Sequence, residues 1–171
     1  AGLLTLRPAP AEAAAAVGEA APDFTLTDVK GAKHALSSYK GKWVVLEWVN
    51  YDCPFVKKHY GSGHMPKLQK AYTGKGVVWL TVNSSAPGKQ GHVTPDEAKA
   101  YLAAQKSAPT DVLFDPEGTV GKAYGAKTTP HMFLIDDKGV LVYAGAIDDN
   151  PSSDAADAAT AKNYVRAAYE E

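Results

Sequence analysis

The sequence contains little that would tie the chain to a membrane, a nucleic acid or a disulfide framework. It has one cysteine, so no intramolecular disulfide can form, and no group of Cys and His residues has the spacing of a structural zinc site. No apolar run approaches the roughly 18 residues that cross a bilayer, which predicts no membrane span. Lys and Arg number 18 against 19 Asp and Glu, and this balance argues against nucleic-acid binding.

The length of 171 residues is enough for one domain with a sizeable core. Residues 1–21 form a low-complexity segment rich in Ala and Pro, which predicts a flexible leader before one domain over residues 22–171. The sequence starts at Ala, as it would after removal of a signal peptide, although a trimmed sequence would look the same. We therefore expect an exported protein, with a cytoplasmic one left open.

The apolar pattern of the domain predicts alternating strands and helices. Continuous β-branched and aromatic runs at residues 43–49 and 77–82 are typical of strands buried on both faces. Shorter strands are expected in an N-terminal hairpin, near residue 113 and in a hairpin over 132–144. Helices are expected at 54–72 with a break near Gly61, at 94–106, at 119–124 and at 155–169. This order predicts an α/β protein with a mixed sheet and helices on both faces.

Cys53 follows the first central strand and precedes the helix that begins at Pro54. In open α/β sheets, ligands and catalytic groups collect at the carboxyl ends of strands. Backbone N–H groups at a helix start favour a thiolate, the reactive form of cysteine. This placement makes Cys53 a candidate nucleophile, although a lone cysteine is more commonly a small buried apolar residue.

The residues around Cys53 carry a longer motif. Residues 50–60 read NYDCPFVKKHY, which resembles the motif of thioredoxin-superfamily redoxins related to peroxiredoxins, the alkyl hydroperoxide reductase and thiol-specific antioxidant group. Thr128-Thr129-Pro130 before an apolar strand is similar to the thioredoxin cis-proline loop, and residues 145–150 (GAIDDN) are similar to a segment of this subgroup. The resemblance covers about residues 22–169.

The resemblance implies a three-layer α/β/α thioredoxin fold with a mixed central sheet and an N-terminal β-hairpin extension. It implies that Cys53 is the nucleophile, that Pro130 is cis and that Thr129 offers its backbone to an extended substrate. It also implies proton transfer by Glu47, because thioredoxins carry a buried carboxylate six residues before this cysteine. Burial would raise the pKa of Glu47, whereas a carboxylate that reaches solvent or pairs with a lysine is the equal alternative.

The sequence departs from both parent patterns. Val56 replaces the second cysteine of C-x-x-C, so the chain cannot exchange a dithiol alone. Leu46 and Asn50 replace the Pro and Thr of the peroxiredoxin pattern P-x-x-x-T-x-x-C, and the arginines, Arg7 and Arg166, lie far along the chain. Similar redoxins often continue to a Gly-Cys-Ser tail with a second thiol; a longer natural chain and a one-thiol mechanism both stay open. One thiol still forms a mixed disulfide or a sulfenic acid that an external thiol reduces.

Other residues near the motif are candidates for supporting roles. Substrate orientation is expected from Tyr51, Asp52, Pro54 and Phe55, with core packing as the alternative for the two aromatic rings. Four residues are candidates for stabilising the thiolate electrostatically: Lys57, Lys58, His59 and His131. For the two adjacent lysines, a solvated helix face is the more common alternative. The two histidines with Cys53 would also make a thin Cu(I) or Zn(II) site.

These observations favour a thiol-dependent oxidoreductase with Cys53 as its single redox centre and no organic cofactor. Its partners would be an external thiol reductant or a disulfide-bearing protein, and the chain would be a monomer or weak dimer. A weak peroxidase or peroxide sensor is the first alternative. A metal-handling or protein-binding module without enzymatic activity is the second.

Overall fold

The sheet at the centre of the molecule has seven strands. The computed structural model describes residues 14–171, and the strands are β1 (Thr25–Asp28), β2 (Lys33–Ala35), β3 (Val44–Trp48), β4 (Val78–Asn83), β5 (Asp111–Phe114), β6 (His131–Ile135) and β7 (Leu141–Gly145). Their spatial order is β2-β1-β5-β4-β3-β6-β7. β3, β4 and β5 run parallel, whereas the flanking strands pair antiparallel, so the predicted mixed sheet is confirmed.

Helices cover both faces of this sheet. They are α1 (Pro54–Gly61), α2 (His64–Thr73), α3 (Pro95–Gln105), α4 (Thr119–Tyr124) and α5 (Tyr164–Glu170). Apolar side chains of α1, α2, α3 and α5 pack on one face, while α4 and a 3-10 turn at Leu36–Tyr39 pack on the other. Every residue of β3 and β4 is buried, because the two strands lie between two apolar layers. The fold is the expected three-layer thioredoxin-like fold with an N-terminal hairpin.

Local sequence signals explain several helix boundaries. Thr94 and Glu97 form the expected capping box at the start of α3. The expected break after α1 lies at residues 62–63, where Gly63 has φ +73 and lets the chain turn into α2. The single helix expected over 155–169 is wrong, because a 3-10 turn at Ala155–Ala159 precedes the shorter α5. Asn163 caps the first turn of α5, where its side-chain oxygen accepts a hydrogen bond from the Arg166 N–H.

Part of the predicted leader is hydrogen-bonded to the domain. The N–H groups of Gly18 and Ala21 donate to the carbonyls of Leu141 and Gly139, at 2.8 and 2.9 Å, so residues 18–21 run beside β7. Backbone hydrogen bonding to the domain therefore begins before residue 22, where the composition changes. Residues 1–13, the remainder of the predicted leader, lie outside the described residues. Within residues 14–171, none of the helices has the length and apolar character needed to span a membrane.

Candidate active site

Strand register brings the two parts of the motif together. β3 and β6 pair antiparallel with Trp48 opposite His131. The chain leaves β3 towards Cys53, and Pro130 immediately precedes β6, so both lie at the same end of the sheet. Cys53 is the N-cap residue of α1, and its Sγ donates a hydrogen bond to the carbonyl oxygen of Thr129 at 3.1 Å. The Thr129–Pro130 bond is cis, as the resemblance implied.

The loop before Cys53 is held by backbone and side-chain bonds. The N–H of Cys53 donates to the carbonyl of Asn50 at 3.0 Å, and the N–H of Asp52 donates to the Asn50 side chain at 2.9 Å. Asp52 in turn accepts a bond from the N–H of Gly91 at 3.1 Å. Residues 90–91 therefore support the chain that carries the thiol, a contact that the sequence did not indicate.

Glu47 lies in the core and is not exposed to solvent at all. Its carboxylate accepts bonds from the Tyr60 hydroxyl at 2.8 Å, the Trp79 indole N–H at 2.7 Å and the Gln69 amide at 3.1 Å. These contacts exclude the alternatives of a solvated carboxylate and a lysine pair. Burial raises the pKa of Glu47, and the three donors only partly oppose this shift. Sequence reasoning did not single out Gln69, the polar residue in the middle of α2 that completes this network.

The two aromatic residues expected to orient the substrate have different environments. Phe55 is 41% exposed and borders a groove of about 410 Å³ beside Thr129 and Pro130. Tyr51 is buried and packs on Tyr101 with ring centroids 4.4 Å apart, so its ring adopts the core packing that was the alternative to substrate orientation. Its ring packs in the apolar layer over the sheet, which explains the difference.

The lysines expected to tune the thiolate also differ. Lys57 is solvated and its Nζ lies 3.9 Å from the Asp52 carboxylate. Lys58 is buried, and its Nζ donates to the carbonyls of Asn150 and Ser152 at 3.3 and 2.7 Å. The ammonium of Lys58 is thus directed at the loop after β7, and the expected solvated face applies to Lys57 alone.

The histidines contact groups other than the thiol. The ring nitrogens of His59 lie 3.5 Å from the Asp148 carboxylate and 3.2 Å from Nδ1 of His64. His131 stacks on Phe133 with ring centroids 4.5 Å apart. Burial lowers the pKa of His59 to about 4 and lowers that of His131. Both rings are therefore neutral at pH 7 and contribute no full positive charge beside Cys53.

The buried His59 predicts a pH-dependent stability. Because its pKa is about 4 in the folded chain and about 6.5 when unfolded, the unfolded chain binds more protons between these values. We expect its contribution to the free energy of unfolding to decrease as the pH falls from about 6.5 to about 4. Urea unfolding of the wild type and His59→Gln at pH 7 and pH 5 checks this, since the variant should lose less stability. Equal losses would contradict it.

A different set of side chains has the spacing to hold a metal ion. Within the described part of the chain, Asp28, His34 and Asp111 place ligand atoms within 4.8 Å of one another, at the hairpin end of the sheet. His34 lies 2.9 Å from the Asp28 carboxylate, and Lys30 lies 3.8 Å from that of Asp111. Both carboxylates therefore already have partners within the protein, so we interpret the cluster as a polar network rather than a metal site. Cys53 does not belong to it.

The site as a whole is a half-buried thiol at the N-terminus of a helix, opposite a cis-proline loop and beside a groove. This combination defines a thioredoxin-like domain with one thiol. Residues 17–144 match the family model described as the AhpC/TSA family, and the chain belongs to that family.

Individual relatives agree with this assignment. The chain is 34% identical over 127 residues to the thiol-disulfide oxidoreductase ResA of Geobacillus kaustophilus, covering 74% of this chain and 67% of that protein. A Chlorobium tepidum structure described as a thiol:disulfide interchange protein DsbE aligns with a TM-score of 0.68 and 26% identity over 92% of this chain and 97% of that one. The exposed lipoprotein thioredoxin of Streptococcus pneumoniae aligns with a TM-score of 0.59 and 27% identity, covering 87% and 99%.

Proposed function

We propose that this protein is a thiol-disulfide oxidoreductase that works through the single thiol of Cys53. The observation that carries the proposal is the contact of the Cys53 Sγ with the Thr129 carbonyl, beside the cis Pro130 and an open groove. A sulfur held there is accessible to a disulfide that an extended chain presents along the groove. The similarity to ResA and to the DsbE structure supports the same chemistry.

The reaction proceeds in two exchange steps. The Cys53 thiolate attacks one sulfur of the substrate disulfide, forming a mixed disulfide and releasing the other sulfur as a thiolate that takes up a proton. An external thiolate then attacks the mixed disulfide at the substrate sulfur or at Sγ. Attack at the substrate sulfur releases the Cys53 thiolate and leaves the substrate joined to the external thiol, which a second external thiol then displaces. Attack at Sγ releases the reduced substrate and leaves Cys53 joined to the external thiol, so a second external thiol is needed to free it. The external thiols supply both electrons, because the sequence holds no second cysteine.

Glu47 is the proposed proton carrier in these steps. Its raised pKa keeps the buried carboxyl protonated to a higher pH than a solvated one. The Tyr60 hydroxyl and the Gln69 amide fix its orientation. Thr129 and Phe55 border the groove and are the proposed substrate contacts. Of the two lysines expected to stabilise the thiolate, the exposed Lys57 is the one that stays a candidate for that role.

Turnover of a peptide disulfide tests the proposal. We expect the wild type with excess glutathione to reduce a model peptide disulfide faster than glutathione alone, and intact mass to show one mixed-disulfide adduct per chain. Cys53→Ser should lose both the rate and the adduct. A wild-type rate equal to that of glutathione alone would contradict the proposed function.

Peroxide reduction is the second candidate, favoured by the AhpC/TSA family match. Stoichiometric peroxide would then convert Cys53 to a sulfenic acid, which intact mass detects as one added oxygen. Arg166, the single arginine among residues 14–171, lies on α5, so we assign no arginine to a peroxide site. Oxidation no faster than that of free cysteine would remove this candidate.

We also propose that the protein acts outside the cytoplasm. The support is the Ala- and Pro-rich N-terminal composition and the similarity to an exposed lipoprotein. Labelling of Cys53 in intact cells by a membrane-impermeant maleimide tests this location. Labelling only after lysis would contradict it.

A further inference from the structure

The loop over residues 147–152, called here the groove loop, lines the groove that Thr129 borders, and the Thr129 carbonyl contacts the Cys53 sulfur. Asp148, Asn150 and Pro151 line the groove together with Phe55 and Pro130. The groove loop follows β7 and contains no helix or strand. Because its conformation sets the shape of the groove, whatever fixes this loop also influences which chains can lie beside the thiol.

Two adjacent residues of α1 contact the groove loop: His59, whose ring nitrogen lies 3.5 Å from the Asp148 carboxylate, and Lys58, which makes more contacts with it. The Lys58 side chain is 0% exposed, and Nζ donates to the carbonyls of Asn150 and Ser152 at 3.3 and 2.7 Å while lying 3.9 Å from the Asp148 carboxylate. A buried ammonium is costly unless its hydrogens find partners. Here all the nearby partners come from one loop, so the position of the loop and the burial of Lys58 depend on each other.

The opposite side of the groove loop is anchored to the start of α5. The N–H of Tyr164 donates to the carbonyl of Ile147 at 3.0 Å, and the N–H of Lys162 donates to the Asp149 carboxylate at 2.8 Å. Lys58 therefore completes a two-sided attachment, with α1 on one side and residues 162–164 on the other. Removing the ammonium would weaken only the attachment to α1, where the contact between His59 and Asp148 would remain.

We infer that Lys58 is a positioning residue for substrate recognition: it fixes the groove loop and thereby the fit of a polypeptide disulfide, without acting on the Cys53 sulfur. This inference rests on the proposed function. It assigns different roles to two adjacent lysines, because Lys57 is solvated and directed at Asp52. It also predicts that polypeptide and small-molecule reactions of Cys53 respond differently to the same substitution.

The experiment compares Lys58→Met with Lys70→Met, a matched change at an exposed lysine of α2. We expect Lys58→Met to lower kcat/KM for the peptide disulfide about tenfold, mainly through a higher KM. The rate of Cys53 alkylation by iodoacetamide should stay within about twofold of the wild type. Lys70→Met should change neither quantity. An unchanged peptide KM, or an equal loss in alkylation, would overturn the inference.

Two further measurements keep the inference open to refutation if Lys58→Met does not fold. Asp148→Asn removes the countercharge but keeps the shape, and should raise the peptide KM to a smaller extent with alkylation unchanged. Amide hydrogen exchange on the wild type should show protection at Ser152, whose N–H donates to the Asn150 side chain at 2.8 Å. Unprotected exchange there, or an unchanged KM in Asp148→Asn, would overturn the inference.

The two proposals fail in different ways. A wild type that does not accelerate disulfide reduction refutes the proposed function whatever Lys58 does. An active wild type with a Lys58→Met variant of unchanged peptide KM refutes only the positioning role.

Discussion

Replacing Glu47 by alanine is expected to lower the free energy of unfolding by about 3–5 kcal/mol. The change orphans two buried donors at once, the Tyr60 hydroxyl and the Trp79 indole N–H, whereas the Gln69 amide keeps its bond to the Tyr60 oxygen. Each unsatisfied buried donor costs about 1–3 kcal/mol, and a cavity remains where the carboxyl group was. Urea unfolding at pH 7 measures the loss. A loss below about 1 kcal/mol would contradict this account.

Glu47→Gln is the matched control for charge. The amide keeps the volume and one acceptor oxygen, so its destabilisation should be smaller than that of Glu47→Ala. It also tests the raised pKa. Above a pH of about 4.5 the unfolded chain loses the Glu47 proton while the folded chain keeps it, so this group's contribution to stability falls as pH rises through its folded pKa. We expect Glu47→Gln to remove that decline, and an identical slope in both proteins would contradict the shift.

Replacing Gly91 by alanine is expected to lower the free energy of unfolding by about 2–4 kcal/mol and to slow disulfide reduction. Gly91 has φ +77, and an added Cβ would lie 2.2 Å from side-chain atoms of Asn50. Asn50 cannot move freely, since its side chain accepts the Asp52 N–H and its carbonyl accepts the Cys53 N–H. The clash would therefore be transmitted to the loop that carries the thiol.

Gly88→Ala separates this clash from backbone strain. Gly88 also has φ +77, but an added Cβ there meets nothing within 4 Å. We expect it to cost about 1 kcal/mol and to leave disulfide reduction unchanged. Differential scanning calorimetry and the peptide assay compare the two variants. Equal effects on stability and activity would show that the Asn50 contact has no role.

The sequence predicted the elements whose signals are local. The buried strands, the capping box of Thr94 and the cis Pro130 are set by residues adjacent in the chain or by a motif, and all three are present. The closing helix was predicted too long because alanine favours a helix, whereas the Asn163 cap starts α5 later. Local propensity alone did not reveal that cap.

The site was less predictable because burial depends on distant partners. Lys58 and Lys57 are alike in sequence, yet the carbonyls of Asn150 and Ser152, more than 90 residues away, bury only Lys58. The environment of Glu47 likewise depends on Gln69 and Trp79, which lie 22 and 32 residues further along the chain. The GAIDDN segment was the one available signal for the groove loop, and its contact with α1 follows from tertiary packing.

The central proposal is that Cys53 is a reactive nucleophile in the folded chain. The most direct test compares the iodoacetamide alkylation rate of the folded chain with that of the same chain in urea, at pH 7 and with intact mass confirming one adduct. We predict that the folded chain reacts several-fold faster, because Cys53 caps the N-terminus of α1, where the helix dipole stabilises the negative charge of an attacking sulfur. A folded chain that reacts at the same rate as the unfolded chain, or more slowly, would show an inert thiol and contradict the account.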